Sequence, residues 1–322
     1  MKFNGRLIGC LLLLFSFNSV AAKPVTLRLG ILAFGTVAWE IEALKQQKLL
    51  DSAAFDLEIH PVANPEAGKI ALQSGAVDII VSDWIWVSKL RASGEDFTFY
   101  PYSNTSGALV VPENSPIRSL KDLPGKRLGL AGGELDKNWL LLQALGQRQS
   151  LDLNASVEKV FGAPPILSQQ LLRQRLDAVM TYWHFAARLE AQGYRQVLDG
   201  RDIVKGLGIN EAVPTLGYVF RQSFGEQHRQ SINSFLNSTR QVRQTLCQSD
   251  SAWQKIIPLT QAEDTVTQNK LRLRYCDGNI DSWGEKERQA AGRIYQLLKN
   301  LSDNRLTGAG SALQPGTFWS TD

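Results

Sequence analysis

Val77-Asp78-Ile79-Ile80-Val81-Ser82-Asp83-Trp84 and Leu176-Asp177-Ala178-Val179-Met180-Thr181-Tyr182-Trp183 are two versions of one segment, 99 residues apart. Each opens on an aliphatic residue and an aspartate. Each runs through a short apolar core, reaches a hydroxyl residue and ends on tryptophan. Upstream, Arg28-Leu29-Gly30-Ile31 matches Arg127-Leu128-Gly129-Leu130 at the same offset, and Ala63-Asn64-Pro65 matches Ala163-Pro164-Pro165 at an offset of 100. One such match is chance; several in register mark two copies of one structural unit.

Both units read alike. An apolar strand comes first, LRLGIL near residue 30 and RLGLA near residue 129. An amphipathic helix follows, Val37 to Leu50 and Glu134 to Leu145. Then come a second strand (Phe55 to Val62, Val157 to Phe161), a turn with proline, a short helix (Glu66 to Ser74, Ile166 to Gln174) and the quoted third strand. Strands alternating with helices predict an α/β fold with mainly parallel sheets flanked by helices. Ligands of such sheets bind beyond the carboxyl ends of the strands, so two facing units enclose a cleft. Ala108 to Val111 reads as a strand broken by Pro112 to Pro116. Thr215 to Phe220 reads as a strand returning to the first unit, and Gln222 to Leu246 as helix. The expected division is 23–110 for the first lobe, 111–214 for the second, 215–302 returning to the first with C-terminal helices, and an irregular tail over 303–322.

The N-terminus carries Lys2 and Arg6, an apolar run from Leu7 to Phe17 too short to span a bilayer, and small residues from Asn18 to Ala22. These are the marks of a cleaved secretory signal over residues 1–22, and hence of a periplasmic protein. Most of the apolar run follows Cys10, whereas a lipidation cysteine stands at the end of such a run, so Cys10 is read as no lipidation site. The net charge of +4 falls to about +2 once Lys2 and Arg6 are removed, and no long basic cluster points to nucleic acid. Beyond Cys10 the cysteines are Cys247 and Cys276, expected to form a disulfide in an oxidising compartment, with two buried thiols as the alternative.

The signal segment, LRLGIL, LQSGAVDIIVSD, SPIRSLKDLPGKRLGLAGG, RLDAVMTYW and VPTLGYVF together resemble the sulfonate, nitrate and thiamine-precursor group of periplasmic solute-binding proteins. The resemblance covers roughly residues 25 to 240, with Ile117 to Gly133 its most specific stretch. It implies a two-lobed type II periplasmic-binding fold, hinge closure about strands near 108–112 and 214–220, and delivery of a small molecule to an ABC permease in the inner membrane. A monomer without cofactor is expected. No GxSxG, HExxH, P-loop or GxGxxG after a strand is present. Pyrimidine synthases of the same fold are intracellular and cysteine-rich at their site, unlike this chain.

Strand ends then nominate the ligand contacts. In the first lobe they are Phe34, Gly35, Thr36 and Trp39, with Asn64, and Ser82, Asp83 and Trp84; Ser106 stands at the hinge. In the second they are Gly133, Glu134, Asp136 and Asn138, and Tyr182, Trp183 and His184. Each has a plainer alternative: Trp39, Trp84 and Trp183 as core, His184 as a structural histidine, Glu134 and Asp136 as residues complementing a helix N-terminus. Carboxylates at that terminus and no arginine at a strand end weigh against an anion. Aromatic rings beside carboxylates favour a heterocycle or an organic amine, with Trp84 and Trp183 expected on opposite sides of it. Sulfonate or nitrate, or a sensory role, is the alternative. A metal complex held by Asp83, Glu134 and Asp136 also stays open.

Overall fold

The computed structural model describes residues 24–32, 35–50, 53–280 and 282–321. The signal segment and Phe34 lie outside them. The first lobe opens with β1 (Val25–Leu32), α1 (Val37–Gln46), β2 (Phe55–Val62), α2 (Pro65–Gln73), β3 (Ile79–Ser82), α3 (Trp84–Ala92) and β4 (Phe97–Ser103). The second comprises β5 (Ala108–Pro112), β6 (Arg127–Ala131), α4 (Lys137–Arg148), α5 (Leu153–Ser156), β7 (Glu158–Gly162), α6 (Pro164–Leu172), β8 (Ala178–Thr181), α7 (Trp183–Ala191), β9 (Tyr194–Asp199) and α8 (Gly200–Gly206). The chain then returns through β10 (Leu216–Arg221) and continues as α9 (Gln222–Gln227), α10 (Arg229–Gln248), α11 (Asp250–Thr260), α12 (Thr265–Asp277) and α13 (Glu285–Leu301).

Two five-stranded sheets result, ordered β2-β1-β3-β10-β4 and β7-β6-β8-β5-β9. Both are wound alike, and the repeat in the sequence is the reason. Arg28 clamps Asp78 through its backbone N–H, Nε and Nη2, at 2.9, 3.0 and 2.6 Å. Arg127 clamps Asp177 through the same three donors at 2.8, 3.1 and 2.9 Å. Each bidentate pair ties the start of the first strand to the start of the third. Gly30 and Gly129 are equivalent too. A Cβ at Gly30 would stand 3.1 Å from Ile80, and one at Gly129 2.7 Å from Leu176, so side chains of the third strand and the turn before it close over a bare backbone.

The sheets are mainly parallel, with one strand in each running against the other four. β1 runs parallel to β2 and β3, and β6 to β7 and β8, but β10 is antiparallel to β3 and β4, and β5 to β8 and β9. The antiparallel strands are those by which the chain passes between lobes: it must enter each sheet against the local direction. β4 and β9 were not foreseen; Phe97–Ser103, buried throughout, lacks the alternation by which a strand is recognised. Helix bounds shift for local reasons. Gly132 and Gly133, at φ +94° and +78°, delay α4 to Lys137, and the expected helix from Gln222 breaks at His228.

The two crossings lie side by side, the backbone N–H of Thr215 donating to the carbonyl of Ser103 at 3.0 Å. The C-terminal helices are not confined to the first lobe. α12 packs on α7 and α13 on α4, both of the second lobe. One apolar cluster runs from Phe97 and Phe99 through Ala290 and Tyr295 to Leu128 and Trp139. Cys247 and Cys276 form a disulfide (S–S 2.05 Å, Cα–Cα 5.6 Å) that joins α10 to α12. The closed loop contributes about 3–4 kcal/mol by the chain-entropy relation. The tail is irregular but packed. Phe99 N–H donates to the Thr317 carbonyl at 2.8 Å and Trp319 N–H to the Phe99 carbonyl at 2.9 Å, which covers the edge strand β4. Trp319 is buried against Phe220.

Candidate functional site

The carboxyl ends of β3 and β6 face each other. β3 ends at buried Ser82, and Asp83 caps α3: its Oδ1 accepts from the N–H groups of Ile85 and Trp86 at 3.1 and 3.0 Å. An N-cap aspartate satisfies the orphan donors of the first turn. Its Oδ2 is left to reach across the cleft to Lys137 Nζ, 3.2 Å away at the first position of α4. Lys137 is placed by the turn before it. Asp136 caps α4, accepting from Trp139 N–H at 3.0 Å, and a Cβ on Gly132 would stand 2.7 Å from its Oδ2, so the turn needs glycine at 132.

The charges there perturb one another. Burial pushes the Asp83 carboxyl up, but Lys137, the Trp86 N–H and Lys69 together hold it below its usual range. Burial pushes the Lys137 ammonium down, but Asp83 and Asp136 bring it above the usual lysine value. Asp136, whose main perturbation is burial, is raised, and so is Tyr182, through burial and then the Asp136 charge. Lys137 is the cation that stands among the carboxylates weighed against an anion at this terminus.

The two repeat tryptophans do not flank one opening. Trp84 is 3 % exposed, and its indole N–H donates to the Pro214 carbonyl at 2.9 Å beneath the return crossing. Its side chain is core because the following helix turns it under the crossing. Trp183 is partly buried and reaches out of the second lobe, edge-on to Trp39 at 6.2 Å between ring centroids and 6.4 Å from Tyr275. Trp39 is itself 5 % exposed, packed edge-on to Trp253, with its N–H on the Leu259 carbonyl at 3.2 Å. Tyr182, 38 % exposed, is the open ring at this edge. His184, half-buried among Trp183, Phe185 and Tyr182, has no partner for Nδ1; burial and then Arg188 bring it down to about 4.

The other nominated residues divide. Gly35 closes a turn onto Leu32, its N–H donating at 3.0 Å, and Thr36 precedes α1. Asn138 is wedged between Gly107 and Gly200, where Cβ atoms would meet its Nδ2 and Oδ1 at 2.9 and 2.8 Å. Ser106 abuts the same Gly200, so both pack beside the crossing into the second lobe. Gly133 is part of the turn before α4. Glu134 is exposed and points to Arg305 at 3.7 Å, and Asn64 is exposed with its side chain capping α2 through Ala67 N–H at 2.9 Å. Among the described residues no cluster of three or more His, Cys, Asp and Glu could hold a metal ion. No described helix is long and apolar enough to cross a membrane.

Beneath this floor lies a group that the sequence reading missed. Glu40 is fully buried, and its Oε1 accepts from Tyr102 (2.9 Å), Tyr275 (2.5 Å) and Arg243 (3.1 Å). Arg243 also donates to Asn279 Oδ1 at 2.9 Å, to Ser103 Oγ at 3.2 Å and to the Tyr275 carbonyl at 3.1 Å. Burial pushes the Glu40 carboxyl up against the pull of Arg243. Its sequence signal was a charge inside the apolar stripe Val37, Glu40, Ile41, Leu44. Lys137 had one as well: a cation at the first position of a helix opposes the macrodipole.

A family model described as "NMT1/THI5 like" matches residues 50–249. No curated protein sequence matches the chain. Among solved structures, the periplasmic aliphatic sulphonate binding protein SsuA from Escherichia coli superposes with a TM-score of 0.73 at 17 % identity, over 92 % of this chain and 93 % of that one. The alkanesulfonate-binding protein SsuA from Xanthomonas axonopodis pv. citri, bound to MOPS, gives 0.69 at 16 % identity over 93 % and 99 %. An ABC transporter protein from Parabacteroides distasonis gives 0.69 at 15 % identity over 92 % and 100 %. At such identities the likeness is one of fold, the two-lobed type II periplasmic-binding architecture.

Proposed function

We propose that this chain, which belongs to the NMT1/THI5-like family, is a periplasmic solute-binding protein that captures a small organic molecule between its lobes and presents it to an ABC importer, without catalysing a reaction. The observation that carries this reading is the meeting of Asp83 and Lys137: side chains placed after the carboxyl ends of strands in two separate sheets meet across the lobes at 3.2 Å. That is where α/β sheets of this kind hold ligands. Its structural neighbours include two sulphonate-binding proteins and a ligand-binding component of an ABC-type import system from Staphylococcus aureus, which favours transport over enzymology.

The ligand we favour has a nitrogen-bearing head, an aromatic heterocycle or an amine, with Asp83 as counter-charge and Tyr182 and Trp183 as ring surfaces. A sulfonate is the second reading, favoured by Lys137 and by the sulphonate ligands of the two SsuA proteins. The test is calorimetric titration with thiamine precursors, pyrimidines, polyamines and sulfonates, with small-angle scattering of the tightest binder. One class should bind with a dissociation constant in the micromolar range or below and compact the protein. A panel in which nothing binds or compacts the protein sinks the solute-binding reading; tightest binding by a simple sulfonate replaces the first ligand class with the second.

A further inference from the structure

We propose that the cleft selects a small zwitterion, a molecule carrying both a positive nitrogen and an anionic group, with Asp83 receiving the first and Lys137 the second. The inference rests on the solute-binding reading and deepens it. Asp83 Oδ1 is occupied by the two N–H groups of α3, so Oδ2 is the oxygen that can change partner. In the structure that partner is Lys137, contributed by the other lobe at 3.2 Å. The side chains are 12 % and 37 % exposed, so neither is freely solvated.

A ligand seated at this contact between the lobes parts the pair. A ligand of one sign satisfies one partner and strands the other in a half-desolvated cleft, and an unpaired buried charge is strongly unfavourable. A molecule bearing both signs replaces both halves of the pair. The neighbours do not supply that replacement in full. Lys69, the other cation acting on Asp83, is engaged with Glu66 at 2.8 Å, and Asp136, the other carboxylate acting on Lys137, spends Oδ1 on the cap of α4, so each supplies at most a partial replacement. Burial opposes charge at both members, yet Asp83 ends below and Lys137 above its usual range, so both stay ionised at neutral pH. The same pair accounts for both ligand classes above: each describes one half of the molecule.

The test uses a length-matched series at neutral pH: 2-aminoethanesulfonate, ethanesulfonate and ethylammonium, with a second series built on an aminomethyl-heterocycle carboxylate and its singly charged analogues. The zwitterion of at least one series should bind at least tenfold more tightly than either congener. Asp83→Asn, which keeps the cap because asparagine caps as well as aspartate, should shift preference toward the anion. Lys137→Met should shift it toward the cation. Singly charged congeners that bind as tightly as the zwitterion in both series overturn the inference while leaving solute binding intact. So do two variants that weaken every ligand equally. If no organic solute of any charge, from these series or the broader panel, binds or compacts the protein, the solute-binding reading falls and the inference with it.

Discussion

The two lobes are built on one plan and finished differently. Arg28–Asp78 and Arg127–Asp177 repeat atom for atom, and Gly30 and Gly129 are closed over by equivalent side chains. Beyond the strands the copies part. Trp39 and Trp139 both stand third in the helix after the first strand, but the next residue is Glu40 in one lobe and Leu140 in the other. Leu140 packs in an apolar core; Glu40 is buried only because Arg243, Tyr102 and Tyr275 surround it. Trp84 sinks beneath its helix while Trp183 bridges the lobes, and the next residue is buried Ile85 in one and His184 in the other. The scaffold tolerates little change because clamp and glycine fix the strands. The strand ends are free to diverge because they face the other lobe.

Three measurements can break or sharpen that comparison. The largest effect is expected at Arg243. Arg243→Ala leaves the Glu40 carboxylate unpaired in the interior and should cost about 3–5 kcal/mol in denaturant unfolding. Combining Arg243→Leu with Glu40→Leu copies the second lobe and should restore much of the loss. A double variant no better than the single one would mean that the first lobe needs its charge pair and not merely its balance.

The tryptophans come next. Trp84→Ala empties a closed core site and should cost about 3–5 kcal/mol. Trp183→Ala, removing a partly buried ring, should cost at least about 2 kcal/mol less. Equal losses would return Trp183 to the core. The smallest effect concerns pH. His184 is brought from 6.5 to about 4 by folding, so the folded state binds the proton less readily than the unfolded chain. Its contribution is whole above pH 6.5, shrinks as pH falls toward about 4, and is gone below that. The shift bounds it at about 3 kcal/mol. His184→Ile, the first-lobe residue, should flatten the stability profile between those pH values relative to the parent; an unchanged slope there would show that the imidazole titrates normally.

Much of this was legible in the chain. The offset of 99 located both first and third strands, since strands buried on both faces read as short apolar runs with a fixed start. Phe55–Val62 and Arg127–Ala131 match the expected bounds, and the disulfide followed from having two cysteines beyond the expected signal segment. Asp83, Asp136 and Trp183 were nominated because strand ends are where such folds place function. Trp84 was misplaced by the same rule: equal sequence positions were taken for equal directions, and a helix cap decides which way the next side chain turns.

Local pattern determined the repeated units, their order and the class of fold, because periodicity, glycine and proline act over a few residues. It could not determine what meets across long separations. Lys137 lies 54 residues from Asp83, and Arg243 lies 203 from Glu40. Whether a lone charge is solvated, capping or paired depends on which partner the packed chain brings within about 3 Å and how far water is excluded there. The sequence by itself therefore settled the scaffold, and the tertiary structure decided the charges of the cleft, because burial and pairing are properties of the assembled lobes.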